Sequence, residues 1–172
     1  MFAAEQVDGW TPPIIDAPAT VITPIKQAEA FVAATGATIT HGGSRAFYRP
    51  ATDSIQIPPR EAFIGTATSS PADAYYSTLL HELTHYSGHE TRCNRQPGRR
   101  FGDDAYAMEE LIAELGAAFL CADLRITDEP RVDHAQYLDH WLKVLKADKK
   151  AIFTAASKVS EAATFLAAIQ GA

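Results

Sequence analysis

Residues 70–89 read SPADAYYSTLLHELTHYSGH, and the rest of the chain must fold around this stretch. Ser70 has the side chain of a helix N-cap, Pro71 suits the first helical position, and Asp73 completes a capping box. Apolar side chains then recur at helical spacing, and Gly88 is typical of a helix end. The sequence therefore predicts one sharply delimited helix that begins at Pro71 and ends near Gly88.

The HExxH pattern His81-Glu82-Leu83-Thr84-His85 lies on this helix. Residues four apart share a helix face, with Cβ atoms about 5–6 Å apart, so imidazoles at this spacing can bind one Zn²⁺ together. Glu82 follows the first histidine and is placed to hold a metal-bound water without binding the ion. We therefore predict that His81 and His85 are zinc ligands and that Glu82 is the catalytic general base.

A third ligand has to come from elsewhere in the chain. His89 follows Gly88, where the helix should end, and on a straight helix it would lie about 12 Å from His81. That distance is too long for a shared ion, because zinc–nitrogen bonds are only about 2.0–2.1 Å. We expect His89 to be a structural residue or to support a ligand from behind.

A second predicted helix, over about residues 103–122, carries a group of glutamates. Glu110 and Glu114 share one face, whereas Glu109 points about 100° away from them. We predict that Glu110 is the third metal ligand and that Glu114 is a carboxylate that orients one histidine. For Glu109, the favourable interaction of an acidic side chain with the first half of a helix is a sufficient explanation.

This ligand set predicts chemistry as well as binding. Two histidines and one carboxylate leave the fourth position of a tetrahedral zinc ion for water, as in catalytic sites. Such a site polarises a substrate carbonyl, and Glu82 would carry the water proton to the leaving amine. Tyr86 and Tyr106 are candidate donors to substrate or oxyanion, and each is equally well explained as a packing aromatic. The pattern indicates a zinc peptidase.

The remaining sequence predicts an α+β domain over residues 25–172, after an extended lead-in over residues 1–24 that is rich in Pro and Thr. A helix after Pro24 is followed by a small three-stranded antiparallel sheet, one strand of which is expected to bind extended peptide at an edge. The predicted strands are Ala37–Thr40, Ala46–Arg49 and Ser54–Ile57, with the last two as candidate edges, and further helices are predicted over about residues 133–147 and 149–169.

Composition limits the classes of partner and the location. The net charge of −6 and the pI of about 5.4 argue against a surface built mainly for nucleic acid. No segment reaches the about 18 apolar residues that a membrane span needs, and no signal peptide is evident, so a cytoplasmic protein is expected. One basic cluster follows the HExxH helix and is predicted to be a solvated loop; it consists of Arg92, Arg95, Arg99 and Arg100.

Three stretches together resemble a known family. They are Tyr48–Pro58, His81–His89 and Tyr106–Leu115. The likeness is to the C-terminal zincin-like metallopeptidase domain of ArdC-type antirestriction proteins, and it extends over nearly the whole chain. Related domains occur in TraC-type plasmid primases and in phage polyvalent proteins.

The resemblance implies a zincin-like fold and a gluzincin-like site, with His81, His85 and Glu110 at the ligand positions and Glu82 at the catalytic one. It also implies a mobile-element protein that protects incoming DNA, with a protein or peptide substrate and host restriction components as partners. In that family a single-stranded-DNA-binding domain precedes the peptidase domain, and no counterpart is expected within these residues.

Two alternatives to an active peptidase stay open. One is a module that contains the metal but blocks a restriction enzyme without catalysis. The other is an accessory domain that binds single-stranded DNA through the arginine cluster, against which the acidic charge argues.

Overall fold

The protein is described by a computed structural model at residues 22–66, 68–95, 104–126, 145–146 and 148–171. The order of its elements confirms the predicted α+β class. In chain order they are helix α1 (Lys26–Ala34), strands β1 (Thr38–His41), β2 (Phe47–Arg49) and β3 (Ser54–Ile57), and helices α2 (Pro71–Ser87), α3 (Asp104–Asp123) and α4 (Ala151–Ala168). Apart from their last few residues, the lead-in expected over 1–24 and the helix expected over 133–147 lie outside the described residues.

The three strands form a mixed sheet in the order β1-β3-β2, and the predicted antiparallel arrangement is wrong in this detail. β1 pairs with β3 in parallel, with Ile39 opposite Ile55, whereas β2 pairs with β3 antiparallel. The central position goes to β3 because its Ile55 and Ile57 are fully buried, while the polar β1 is mostly exposed. The glycine-rich turn after β1 indicates a chain reversal but does not identify the neighbouring strand. Of the two strands predicted as edges, β2 is one and β3 is not.

Helix α2 is buried along most of its length and contacts β2, β3, α3 and α4. It begins as predicted: Ser70 Oγ accepts from the backbone N–H of Asp73 at 3.1 Å, and the Asp73 carboxylate accepts from the Ser70 N–H at 2.8 Å. The helix ends at Ser87, with Gly88 in the position after it. This capping box fixes the first turn of α2, the helix that carries the HExxH pattern further along.

Helix α3 packs closely along α2. Gly116 of α3 faces Thr84 of α2 without room for a side chain, and the neighbouring small residues Ala117 and Cys121 are buried in the core between the helices. A second apolar cluster joins α3 to α4 through Leu111, Ile112, Ala155 and Val159. The arrangement brings the glutamates of α3 next to the histidines of α2. In the described part of the chain, no helix is long and apolar enough to cross a lipid bilayer.

Candidate metal centre

The structure brings together the three residues predicted as metal ligands. His81 and His85 lie on the buried part of α2, with their Nε2 atoms 3.1 Å apart. Glu110 reaches them from α3, with its Oε2 atom 3.6 Å from His81 Nε2 and its Oε1 atom 3.6 Å from His85 Nε2. Donor atoms bound at about 2.0–2.2 Å to a tetrahedral ion lie roughly 3.4 Å from one another. The three side chains therefore form a group that could hold a divalent metal ion.

Each histidine also contacts a carboxylate through its other ring nitrogen. Glu114 Oε1 is 3.4 Å from His81 Nδ1, which is the arrangement predicted for this glutamate. Glu109 Oε1 is 3.2 Å from His85 Nδ1. A carboxylate on Nδ1 orients the ring and leaves the Nε2 lone pair available for a metal ion.

Glu109 is the residue that sequence reasoning missed. Its position was attributed to the helix dipole, yet its side chain is buried against His85. Glu109 and Glu110 differ by about 100° around α3, and His81 and His85 differ by one turn along α2. A helix that crosses α2 closely can contact both histidines from two adjacent positions. The sequence does show that Glu109 and Glu110 are adjacent. Whether adjacent glutamates contact two different histidines depends on how α3 crosses α2, which the sequence does not show.

A second difference concerns the arginine cluster, which was predicted to be solvated. Arg95 is buried, with both Nε and Nη2 donating to the Glu109 carboxylate at 3.0 and 2.8 Å. Arg92 is half-buried and donates to Asp53 Oδ2 at 3.0 Å through Nη1. Arg99 and Arg100 lie outside the described residues. The two described members of the cluster are thus engaged within the fold.

The charges of the centre favour a bound cation. Burial alone would lower the pKa of His81, but the carboxylates of Glu110 and Glu114 outweigh it and raise the pKa to about 9. Burial raises the pKa of Glu110, yet contacts with His81, His85 and the Tyr106 hydroxyl leave the pKa below that of a free glutamate. The carboxylate is therefore anionic at neutral pH, and a metal ion would take the place of the proton on His81.

The candidate ligands open into a cavity of about 860 Å³. Glu82 lines it beside the histidines, as expected for a general base, and Tyr106 lines it and hydrogen bonds to Glu110. His89 lies on the wall of this cavity, and its Nδ1 is 2.9 Å from Thr91 Oγ1. His89 thus forms hydrogen bonds with Thr91 within the turn after α2.

Tyr86 differs from Tyr106 in its surroundings. Its hydroxyl donates to the carbonyl of Thr35 at 3.4 Å, and the Arg92 guanidinium lies 3.6 Å above its ring. Its ring packs edge-on against Tyr48. Of the alternatives considered for Tyr86, these contacts correspond to a packing aromatic, whereas Tyr106 remains a candidate donor.

The edge strand β2 also lines the cavity. Phe47 and Tyr48 line it together with the preceding residues Arg45 and Ala46. The Tyr48 hydroxyl donates to Asp53 Oδ1 at 2.8 Å. Because Arg92 also donates to Asp53, the segment after α2 and the turn after β2 are joined through this carboxylate.

These features define a class of protein. A helix with an HExxH pattern, a glutamate from a later helix and an edge strand along the cleft are the features of a zincin. The sequence profile of a family described as zincin-like metallopeptidase matches residues 26–158, and the chain belongs to this family.

Several proteins are similar to the chain over nearly its whole length. The uncharacterized protein y4eC of Sinorhizobium fredii is 46% identical over 174 residues, which are 99% of this chain and 53% of that protein. DNA primase TraC of Escherichia coli is 40% identical over 171 residues, 99% of this chain and 15% of the primase. The chain thus spans about half the length, or less, of these relatives.

Solved structures agree with this assignment. The Mn(II)-bound crystal structure of the antirestriction protein ArdC from plasmid R388 has a TM-score of 0.73 and 38% identity, over 98% of this chain and 60% of that chain. The metal-free structure of the same protein has a TM-score of 0.71 and 39% identity, over 99% of this chain and 59% of that chain. The predicted resemblance to the ArdC-type domain and the zincin-like fold are confirmed.

Proposed function

We propose that the chain is a zinc-dependent peptidase domain in which His81, His85 and Glu110 bind the metal and Glu82 is the general base. The observation that carries the proposal is the convergence of these three donor groups on the lining of a cavity of about 860 Å³ that Glu82 also lines. A structural zinc site would be closed by four protein ligands, whereas the described residues contribute three here.

Each of these groups would have a separate role in peptide hydrolysis. A bound divalent ion would supply Lewis acidity toward the substrate carbonyl and acidify a water molecule. Glu82, which lines the cavity beside the histidines, would accept a proton from the attacking water and deliver it to the leaving amine. Tyr106 lines the cavity, and it would be a candidate donor to the oxyanion once its hydroxyl turns from Glu110 to the substrate.

The choice of zinc is part of the proposal. Two imidazoles and one carboxylate are typical ligands of catalytic zinc, and imidazole also suits other transition metals. The similar ArdC protein has been crystallised with Mn(II). Both ions therefore belong in any test of this chain.

The proposed substrate is an extended peptide or unfolded protein segment. The edge strand β2 lines the cavity, and no strand among the described residues pairs with its outer side, so a peptide can add a further strand there, beside the candidate metal centre. This proposal retains the sequence-based hypothesis for Ala46–Arg49 and abandons it for Ser54–Ile57, which is central in the sheet.

A second candidate function rests on the relatives. A zincin-like domain that occurs in an antirestriction protein and in plasmid primases supports a role in mobile-element DNA transfer, in which host restriction components are partners. Such a module could act by binding alone. The accessory DNA-binding alternative has less support, because Arg92 and Arg95 are engaged with Asp53 and Glu109.

One comparison of variants separates peptidase from binding module. The full chain, loaded with Zn²⁺ or Mn²⁺, is assayed for metal content and for hydrolysis of unfolded casein. Glu82→Gln should keep the metal and lose hydrolysis by about 10²- to 10⁴-fold, whereas His85→Ala should lose the metal.

The exposed Glu90, which also lines the cavity, provides a matched control. Glu90→Gln should change neither the metal content nor the rate of hydrolysis. If the wild-type chain binds metal, hydrolyses nothing, and inhibits restriction equally well with Glu82→Gln, the binding module is correct and the peptidase proposal is wrong.

A further inference from the structure

A buried arginine lies behind the candidate metal centre. Arg95, in the segment after α2, is only 7% exposed. Its Nε and Nη2 atoms each donate to one oxygen of Glu109, so the guanidinium holds both oxygens of a single carboxylate. A buried ion pair has a high desolvation cost and often stabilises a fold no better than apolar side chains of similar size. The charge of Arg95 therefore calls for an explanation other than packing.

The Glu109 carboxylate also contacts His85, one of the candidate metal ligands. Glu109 Oε1 is 3.2 Å from His85 Nδ1. Because both Glu109 oxygens accept from Arg95, the carboxylate is an acceptor and His85 Nδ1 is the donor. A proton on Nδ1 leaves Nε2 with its lone pair, and this is the nitrogen near His81 and Glu110.

Arg95 is also anchored to the helix that carries His85. Its Nη1 donates to Ser87 Oγ at 2.9 Å, and its Nη2 donates to the Thr84 carbonyl at 2.5 Å. Arg95 thus links the last part of α2 to Glu109 on α3, and Glu109 in turn contacts His85 on α2. These contacts restrict the orientation of the Glu109 carboxylate.

We propose that Arg95 is a positioning residue that holds Glu109 against His85 and thereby selects the His85 tautomer whose Nε2 is free to bind a metal ion. This inference rests on the proposed metal site and is independent of peptidase activity. Carboxylates that support metal-bound histidines typically affect metal affinity about 10- to 100-fold, and Arg95 would act through such a carboxylate.

The test uses a double variant of the full chain, Arg95→Met/Glu109→Leu. Each single change leaves a buried charge without its partner and is expected to destabilise the fold, whereas the double variant removes both charges at similar volume. Zn²⁺ affinity is measured by competition with a chromophoric chelator, and the stability of the metal-free protein by urea unfolding. The double variant should fold like the wild type and bind Zn²⁺ about 10- to 100-fold more weakly.

The Arg92–Asp53 pair provides a matched control. It is also an arginine–carboxylate pair, and it joins the turn after β2 to the segment after α2 without contacting a candidate ligand. Arg92→Met/Asp53→Asn should leave the Zn²⁺ affinity unchanged. A second variant, Arg95→Lys, keeps the charge but cannot donate to both Glu109 oxygens in the same geometry, so an intermediate loss of affinity is expected.

The His85 tautomer gives a readout that a purely structural role would not change. Long-range ¹H–¹⁵N NMR of the metal-free wild type should show the proton on His85 Nδ1, and the double variant should show it moving toward Nε2. A double variant that folds, keeps the wild-type Zn²⁺ affinity and keeps the Nδ1 proton would overturn the inference.

The other outcomes are also decisive. If the double variant does not fold, the Arg95→Lys variant is compared with the wild type instead. An unchanged Zn²⁺ affinity and an unchanged His85 tautomer in Arg95→Lys would overturn the inference. If the wild type binds neither Zn²⁺ nor Mn²⁺, the proposed metal site fails, and the tautomer in the metal-free variants still tests the positioning role.

Discussion

Gly116 on α3 lies so close to Thr84 on α2 that a β-carbon at position 116 would be 2.6 Å from Thr84 Cγ2 and 2.7 Å from Thr84 Oγ1. Thr84 directly precedes His85, and its own hydroxyl donates to the Leu80 carbonyl at 2.9 Å within the buried helix. The contact therefore sets the distance between the helix that carries the two histidines and the helix that carries Glu110. Close packing in this core leaves little freedom for that distance to change.

Replacing Gly116 with alanine is expected to destabilise the protein and weaken metal binding. In an open helix position alanine would stabilise by about 1 kcal/mol. Here the added methyl group forces α2 and α3 apart, and overpacking of this kind costs about 1–3 kcal/mol. Urea unfolding of the metal-free chain and a Zn²⁺ titration would measure the two effects.

Two further variants define the cause of that loss. Gly42→Ala is the control, because a β-carbon there meets no atom within 4 Å and its backbone needs no glycine. Thr84→Ala removes both atoms that the Gly116→Ala methyl group would strike, so the double variant should regain metal affinity. A Gly116→Ala chain that binds Zn²⁺ as tightly as the wild type would show that this contact does not control the centre.

A charge on β2 should weaken the binding of an extended substrate. Phe47→Asp places a carboxylate on the strand that lines the cavity, and it should raise KM for an unfolded protein substrate while changing kcat little. Thr38→Asp, on the edge strand β1 at the other side of the sheet, is the matched control and should leave KM unchanged. Equal effects of the two substitutions would count against substrate binding at β2.

The Asp53 carboxylate should contribute stability that depends on pH. The hydrogen bonds from Arg92 lower the pKa of Asp53 below that of a free aspartate. A carboxyl group with a lowered pKa stabilises the fold above its unfolded pKa of about 3.9 and loses this contribution as the pH falls through the folded value. Because the Asp53 side chain is more than one-third exposed, solvent screens the ion pair, and Asp53→Asn should cost no more than about 1 kcal/mol at pH 7 and progressively less below about pH 4.

Unfolding in urea at several pH values would measure this contribution. Asparagine tolerates the left-handed backbone of this position, where φ is 46°, so the comparison isolates the charge. Glu61→Gln, at an exposed carboxylate, is the control and should produce no comparable pH-dependent difference. A constant difference between Asp53→Asn and the wild type from pH 3 to pH 7 would contradict the assignment.

Metal binding should stabilise the wild-type chain and leave the ligand variants unchanged. At a free Zn²⁺ concentration about 100 times the Kd, the linkage contributes about 2.7 kcal/mol and raises the Tm. Thermal unfolding with and without a chelator would show this shift in the wild type and in Glu82→Gln. Its absence in His85→Ala and Glu110→Ala, each compared with its own metal-free form, would identify the ligands. A full shift in Glu110→Ala would exclude this glutamate.

Local interactions explain why much of the fold could be predicted from sequence. The capping box of Ser70 and Asp73 involves residues three apart and indicates the start of α2 without knowledge of the rest. The three strands and the last helix lie within one or two residues of their predicted bounds, since apolar periodicity and turn residues are local as well. The strand order was not predictable in this way, because it depends on which strand the core buries most deeply.

The sequence by itself determined that His81 and His85 share one face of a helix, with Glu82 next to the first of them, because spacing along a helix fixes which side chains have a common face. Only the tertiary structure decided which carboxylate serves which histidine, that Arg95 reaches Glu109, and that Tyr106 lines the cavity while Tyr86 packs in the core. These relations depend on where α3 crosses α2. That crossing is set by contacts such as Gly116 against Thr84, between residues far apart in the sequence, which no local pattern specifies.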